Sequence, residues 1–215
     1  MKKILFTGII LIAMSSANFA DNEVNPEMNE PKKLEKATFA GGCFWCLEPP
    51  FDKLKGVIST TPGYTGGHKK NPTYSEVSEG TTGHAEAVEI VYDPKEISFT
   101  ELLDVFWRNI DPTTLNRQFA DVGTQYRTAI FYHNEEQKRL AEISKEQLGK
   151  SGRFDKPIVT KIVPAKAFYP AEDYHHDYYK KNVFPYKQYR IGSGREGYLE
   201  KTWGDRNGAA EKGQP

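Results

Sequence analysis

The sequence predicts an α+β two-layer sandwich, on three observations. Five short segments alternate apolar and polar residues as strands do, and two longer ones repeat their apolar residues with helical spacing behind capping residues. From residue 37 to 132 these fall in the order strand, helix, strand, strand, helix, strand. That order is the ferredoxin-like motif, so a ferredoxin-like core with a mixed sheet is expected.

The first strand is "KATFAGG", whose closing glycines mark a turn, and a helix should follow Cys43. Pro49 and Pro50 complicate that helix, because proline lacks the N–H and clashes inside a helix; either its first turn is distorted or regular helix begins near Glu48. "GVISTT" and "AEAVEIVYD" are the next strands. "SFTELLDVFWRNI" opens with Ser98 and Glu101 in capping-box spacing, and "RTAIFYH" follows it as a strand. "NEEQKRLAEISKEQLG" opens at Asn134 and closes at Gly149, "PIVTKIV" is the fifth strand, and "AEDYHHDYYKKN" is a candidate fourth helix.

The flanks differ in character. Residues 1–20 have a two-lysine start, an apolar run from Ile4 to Met14 and small residues after it, the layout of a secretory signal peptide. The run is too short to span a bilayer, so export to the periplasm or outside the cell is expected, without stable membrane insertion. Residues 21–36, broken by Pro26 and Pro31, read as a flexible linker, residues 37–205 as one catalytic domain, and residues 206–215 as a disordered tail. Without residues 1–20 the chain keeps 27 of its 29 basic side chains against 29 acidic ones, a formal charge of −2. Such a balance excludes a nucleic-acid footprint, which needs concentrated basic surface.

The chain's two cysteines, Cys43 and Cys46, lie in "GGCFWC". In an exported protein a structural disulfide is the natural reading, yet so short a loop stabilises by only ~2 kcal/mol in the chain-entropy picture. Zinc needs about four ligands, and no second cysteine pair exists; covalent haem needs C-x-x-C-H, but Leu47 follows Cys46. Redox chemistry remains. Cys43 stands where a strand turns into a helix, and backbone N–H groups with the positive end of the dipole favour a thiolate there; Cys46 lies one turn on. A thioredoxin-like exchanger would also use C-x-x-C after a strand, but Phe44 and Trp45 offer a bulky apolar wall rather than a flat docking surface.

"GGCFWC", "GYTGG", "NPTY", "GTTGHAEAVEIVYDP", "DPTTLNRQFADVGTQYRTAIFY" and "FYPAEDYHHDYY", in that order, resemble the peptide methionine sulfoxide reductase A family. The resemblance covers residues 37–179 and implies reduction of the S epimer of methionine sulfoxide, free or in proteins, with no cofactor and no metal. It implies that Cys43 is the nucleophile and Glu86, at the start of a buried strand, the acid that protonates the departing oxygen. Tyr74 and Tyr126 would hydrogen-bond that oxygen, Phe44 and Trp45 would form the pocket for the S-methyl group, and Asp121 would contact the methionine backbone. Cys43 would pass through a sulfenic acid to a Cys43–Cys46 disulfide, recycled by thioredoxin or a thioredoxin-like reductant. A monomer is expected.

Two other readings stay open, a general thiol-disulfide oxidoreductase and an exported non-enzymatic domain with a structural disulfide. His84, flanked by glycine, reads as positional, and His175 and His176, adjacent on a helix, face apart and are weak metal candidates. Many relatives carry glycine where Cys46 stands and resolve through cysteines near the C-terminus; this tail has none, so Cys46 is the internal candidate. Ser78 and Phe119 also depart from the family pattern, Phe119 replacing a common glycine.

Overall fold

A computed structural model describes residues 33–204. The proposed signal peptide and tail, and the linker up to residue 32, lie outside the described residues. Strand β1 (Glu35–Gly41) begins inside the segment read as linker. It is followed by α1 (Phe44–Asp52), β2 (Val57–Thr65), α2 (Tyr74–Ser78), β3 (Ala85–Tyr92), α3 (Phe99–Trp107), the two-residue strands β4 (Arg117–Gln118) and β5 (Asp121–Val122), and a 3-10 turn (Thr124–Tyr126). Then come β6 (Thr128–Tyr132), α4 (Glu135–Lys150), β7 (Lys161–Pro164), β8 (Tyr169–Pro170), α5 (Tyr178–Lys181), α6 (Val183–Gly192) and α7 (Arg195–Trp203).

The main sheet runs β7-β6-β1-β3-β2-β8. Its four central strands are antiparallel, in the order the ferredoxin-like motif requires: α1 joins β1 to β2 across β3, and α3 joins β3 to β6 across β1. The parallel β6–β7 pair makes the sheet mixed. β4 and β5 form a separate hairpin.

Period-two alternation sorts the side chains of the central strands. Ala37 and Phe39 of β1 with Val88 and Ile90 of β3 face the helices, against Leu47 and Phe51 of α1 and Leu102, Leu103 and Phe106 of α3. Phe39 is the centre of this layer, with ring centroids 4.9 Å from Phe106, 5.5 Å from Phe51 and 5.9 Å from Phe99. Truncating such a residue costs about 3–5 kcal/mol. The opposite face carries Ala40, Ala85, Ala87, Ala129 and Phe131, packed against Val163, Ala165 and Phe168 from the segment leading out of β7. Alanine there lets a strap of backbone lie close on the sheet, tied by Thr65 Oγ1 to the Ala167 carbonyl at 3.0 Å.

The capping predictions agree with the structure. Ser98 and Glu101 form both bonds of a capping box, and Asn134 accepts from the Gln137 N–H at 2.8 Å. α1 is helical from Phe44 through both prolines, whose missing N–H groups leave the carbonyls of Trp45 and Cys46 without their i+4 donors, and its first turn is tightened, the Cys43 carbonyl accepting the Cys46 N–H in an i+3 bond at 3.1 Å, so that of the two alternatives the distorted first turn holds and a start near Glu48 does not. Other expectations need correction. The fifth strand is β7 alone, since residues 157–160 lie outside it. The candidate helix over residues 171–182 is mostly turn, with α5 covering four residues. Two helices that the sequence reading omits, α6 and α7, follow.

Candidate active site

Gly41 and Gly42 place Cys43 where β1 gives way to α1. A Cβ on Gly41 would lie 2.6 Å from Ile110 Cγ2, so only glycine lets the strand end approach the helix layer this closely. Gly42 takes φ +79°, a left-handed conformation that turns the chain, and Cys43 follows as the N-cap of α1. Both cysteines are free thiols and buried, Cys43 7% exposed and Cys46 not at all. Cys46 sits one turn along α1, its N–H bonded to the Cys43 carbonyl at 3.1 Å.

Glu86 reaches the same spot by strand alternation. It shares the helix-facing side of β3 with Val88 and Ile90, and its Oε2 accepts the Phe44 N–H at 3.1 Å. Burial pushes its pKa up to about 8, with the charges of Asp121 and Cys46 adding to the effect and the Phe44 N–H opposing it. Glu86 therefore holds a proton at neutral pH beside the first turn of α1.

The thiol pair departs from expectation. Cys43 is pushed well up rather than down, first by burial, then by donating a hydrogen bond to Cys46 and by the charge of Glu86. The N–H that follows Cys43 bonds to Glu86 instead of to sulfur, so the helix start does not supply the thiolate stabilisation that the sequence reading assigned to it. Cys46 moves the other way, to about 7, through the Cys43 hydrogen bond and the charges of Arg195 and Arg190, against the opposing effect of burial. Of the two thiols, Cys46 is thus the one whose surroundings favour loss of its proton.

The tyrosines flank this centre. Tyr74 opens α2, its hydroxyl pKa raised to about 12 by burial and then by Glu86 and Cys43. Tyr126 closes the 3-10 turn and is likewise raised by burial, Glu86 and Tyr74. Both keep their protons and remain donors at neutral pH. Asp121, on β5, accepts a hydrogen bond from Tyr189, and burial raises its carboxyl. Phe44 is buried in the core, while the half-buried Trp45 stacks on Tyr178 at 3.8 Å and donates its indole N–H to His175 Nδ1 at 3.0 Å.

Thus Cys43, Cys46, Glu86, Tyr74, Tyr126 and Asp121 come within electrostatic reach of one another, with Phe44 and Trp45 on the first turn of α1. Sequence reasoning missed four further residues here. Glu172 accepts from the Tyr64 hydroxyl at 2.7 Å and the Tyr74 N–H at 2.8 Å, fixing α2 against β2. His175 packs on Phe44 and Tyr74. Tyr189 of α6 and Arg195 of α7 come from the helices the sequence reading omitted. The i, i+3 pair Tyr186 and Tyr189 was the available signal for α6.

His84 is positional: Nδ1 accepts the Gly67 N–H at 3.1 Å and Nε2 lies 2.7 Å from the Lys69 carbonyl. Glu48, His176 and Asp177 could each offer a metal ligand atom, all within 4.8 Å. Lys180 already bonds Asp177 at 2.9 Å and Asp52 at 2.7 Å, so this cluster carries its own cation.

The profile of the family described as peptide methionine sulfoxide reductase matches residues 35–207. The chain belongs to the peptide methionine sulfoxide reductase family. Peptide methionine sulfoxide reductase MsrA of Bacillus licheniformis is 57% identical over 173 residues, 80% of this chain and 96% of the relative. The MsrA of Bacillus pumilus is 54% identical over 176 residues, 82% of this chain and 99% of its own length. Among solved structures, reduced Mxr1 from Saccharomyces cerevisiae superposes with a TM-score of 0.66 at 38% identity, over 72% of this chain and 89% of that one. Methionine sulfoxide reductase A of Corynebacterium diphtheriae gives 0.63 at 36%, over 72% and 77%. This reductase is an oxidoreductase, and its α+β architecture with a six-stranded mixed sheet agrees with these neighbours.

Proposed function

We propose that this reductase acts on the S epimer of methionine sulfoxide, free or in proteins, through a sulfenic acid on Cys43 and a Cys43–Cys46 disulfide. One observation carries the reading: a protonated, buried Glu86 carboxyl lies beside the first turn of the helix that starts at the Cys43 sulfur. The substrate sulfur is electrophilic and its oxygen leaves only as it gains a proton. Cys43 sulfur attacks the sulfoxide sulfur and forms an S–S bond with it, while Glu86 protonates the oxygen and takes up the proton that Cys43 loses. Tyr74 and Tyr126 stabilise the charge growing on that oxygen. The hydroxyl then passes to the Cys43 sulfur as the substrate's S–O bond and its bond to Cys43 both break, so that methionine leaves with the electron pair and Cys43 is left as sulfenic acid.

Cys46 then attacks the Cys43 sulfur; an S–S bond forms, the S–O bond breaks, and the oxygen leaves as water after taking a proton. Thioredoxin or a related dithiol reduces the disulfide by exchange. The first turn of α1 with Phe44 and Trp45 supports an apolar seat for the S-methyl group, and Asp121, already accepting from Tyr189, supports a contact to the methionine backbone. The lysine-led apolar start of residues 1–20 supports export to the periplasm or beyond. Among the described residues no helix is long and apolar enough to cross a membrane.

The test is incubation with separated R and S epimers of a methionine sulfoxide peptide plus dithiothreitol, read by mass. Conversion of the S form alone is expected. Conversion of neither form, or of R alone, overturns the proposal.

A further inference from the structure

The two sulfurs of the site are not equally within reach of a second protein. The 215 residues hold two cysteines, so no third thiol among them can carry a disulfide outward to a reductant. Of the pair, Cys43 is 7% exposed and Cys46 has no exposed surface. The helix start sets this order. Cys43 is the N-cap, at φ −55° and ψ 120°, outside helical geometry, whereas Cys46 stands inside the first turn, tied by its N–H to the Cys43 carbonyl at 3.1 Å. Side chains on a helix lean towards its N-terminus, so the Cys46 sulfur leans towards Cys43 from the buried side.

The walls around Cys43 come from both flanks. On one, Phe44 packs on His175 with ring centroids 4.9 Å apart, His175 on Tyr74 at 4.4 Å, and Trp45 on Tyr178 at 3.8 Å. On the other, a Cβ on Gly42 would lie 2.5 Å from Gln118 Cβ, so β4 closes directly against the turn, and Asp121 of β5 is tied to Tyr189 of α6. Trp45 and Tyr189, 6.1 Å apart, join the flanks over the first turn of α1. Exchange with a disulfide depends on which sulfur the incoming thiolate can reach, and it approaches that sulfur from the side away from its partner. For Cys46 that side is protein interior. For Cys43 it is the opening between these walls, where the substrate sulfur stands in the reading above.

We propose that the reductant attacks the Cys43 sulfur and never Cys46, entering by the same mouth as the sulfoxide, so that substrate and reductant exclude each other from the site. The inference rests on the disulfide cycle above. The reductant's thiolate forms an S–S bond with Cys43 as the Cys43–Cys46 bond breaks, and Cys46 leaves with the electron pair and takes a proton. The reductant's second thiol then attacks the reductant's own sulfur in the mixed disulfide. The reductant departs oxidised, and Cys43 regains its electron pair and a proton. The partner this geometry fits is a dithiol protein that carries its attacking thiol on a projecting segment.

The test starts from the full chain oxidised by one equivalent of an S-sulfoxide peptide. The disulfide form is mixed with thioredoxin whose second active-site cysteine is replaced by serine, quenched in acid and treated with a thiol-capping reagent, and the mixed disulfide is located by fragment mass. An adduct on Cys43 with the cap on Cys46 is expected; an adduct on Cys46, or on neither sulfur, overturns the inference. The shared mouth is tested by the rate at which dithiothreitol frees both thiols in the presence of a methionine sulfone peptide, which keeps the S-methyl group and is not reduced. At ten times its inhibition constant against turnover the rate should fall about tenfold. An unchanged rate overturns mutual exclusion. A chain that forms no disulfide with the S-sulfoxide peptide refutes the reductase cycle instead.

Discussion

The two ends of helix α1 bury a carboxylate each, and only one is equipped for catalysis. At the N-terminal end Glu86 faces the thiols and accepts a hydrogen bond from the Phe44 N–H. Toward the other end Glu48, fully buried, faces His176 at 3.4 Å, the Asp177 N–H at 3.4 Å and Thr60 at 3.5 Å, next to the Asp52–Lys180–Asp177 bridge. Burial lifts both carboxyls towards neutrality, Glu86 to about 8 and Glu48 to about 7. A raised pKa is therefore insufficient to mark a catalytic acid; what separates the two is the neighbouring thiol of Cys43 and the hydroxyls of Tyr74 and Tyr126 beside Glu86.

The largest way to sharpen the contrast is at the nucleophile. Cys43→Ser should retain the fold and abolish methionine formation, whereas Cys46→Ser should still give one methionine per enzyme in a single turnover and then stall without an external thiol. Next, Glu86→Gln should slow methionine formation by about 10²–10⁴-fold, the range for loss of a positioned acid. Glu48→Gln should leave it within about threefold. Equal losses in the two would erase the distinction between the ends.

Thermal unfolding across pH gives a smaller effect with a definite sign. Each carboxyl binds its proton more tightly folded than unfolded, so the unfolded chain holds fewer protons and stability falls as pH rises. The fall runs from the ordinary carboxylate range to about 7 for Glu48 and about 8 for Glu86. Glu48→Gln should flatten the curve up to pH 7 and Glu86→Gln up to pH 8, each by a few kcal/mol at most. A curve unchanged by Glu86→Gln would mean that this carboxyl is ionised in the folded chain. The smallest effect is at Trp45→Phe, which keeps the apolar ring and loses the bond to His175; methionine formation should drop severalfold, mostly in KM.

How legible all this was depended on where the information lay. β1, β3, α3 and α4 were readable because alternation and caps are local, and Glu86 fell on the helix-facing side by counting from Val88. α1 was legible only as two alternatives, because proline rules describe intrinsic preference, and it is tertiary packing of Phe44, Leu47 and Phe51 that carries the helix past both prolines. The C-terminal part was hardest. α6 buries no residue fully, so no apolar stripe announces it, and Tyr189 reaches Asp121 across 68 positions. The ionisation of the thiols was misread for a similar reason, since burial and the pairing of the two thiols, which dominate it, exist only in the packed fold.

The stacking of Trp45 on Tyr178 has a practical consequence. The chain has three tryptophans; Trp107 is buried against Ser144 and Trp203 lies under Arg108 and Arg153, leaving Trp45 as the indole adjoining the sulfurs. The molecule thus carries its own optical gauge, whose emission should dim as sulfur joins sulfur one residue away and brighten when a reductant parts them.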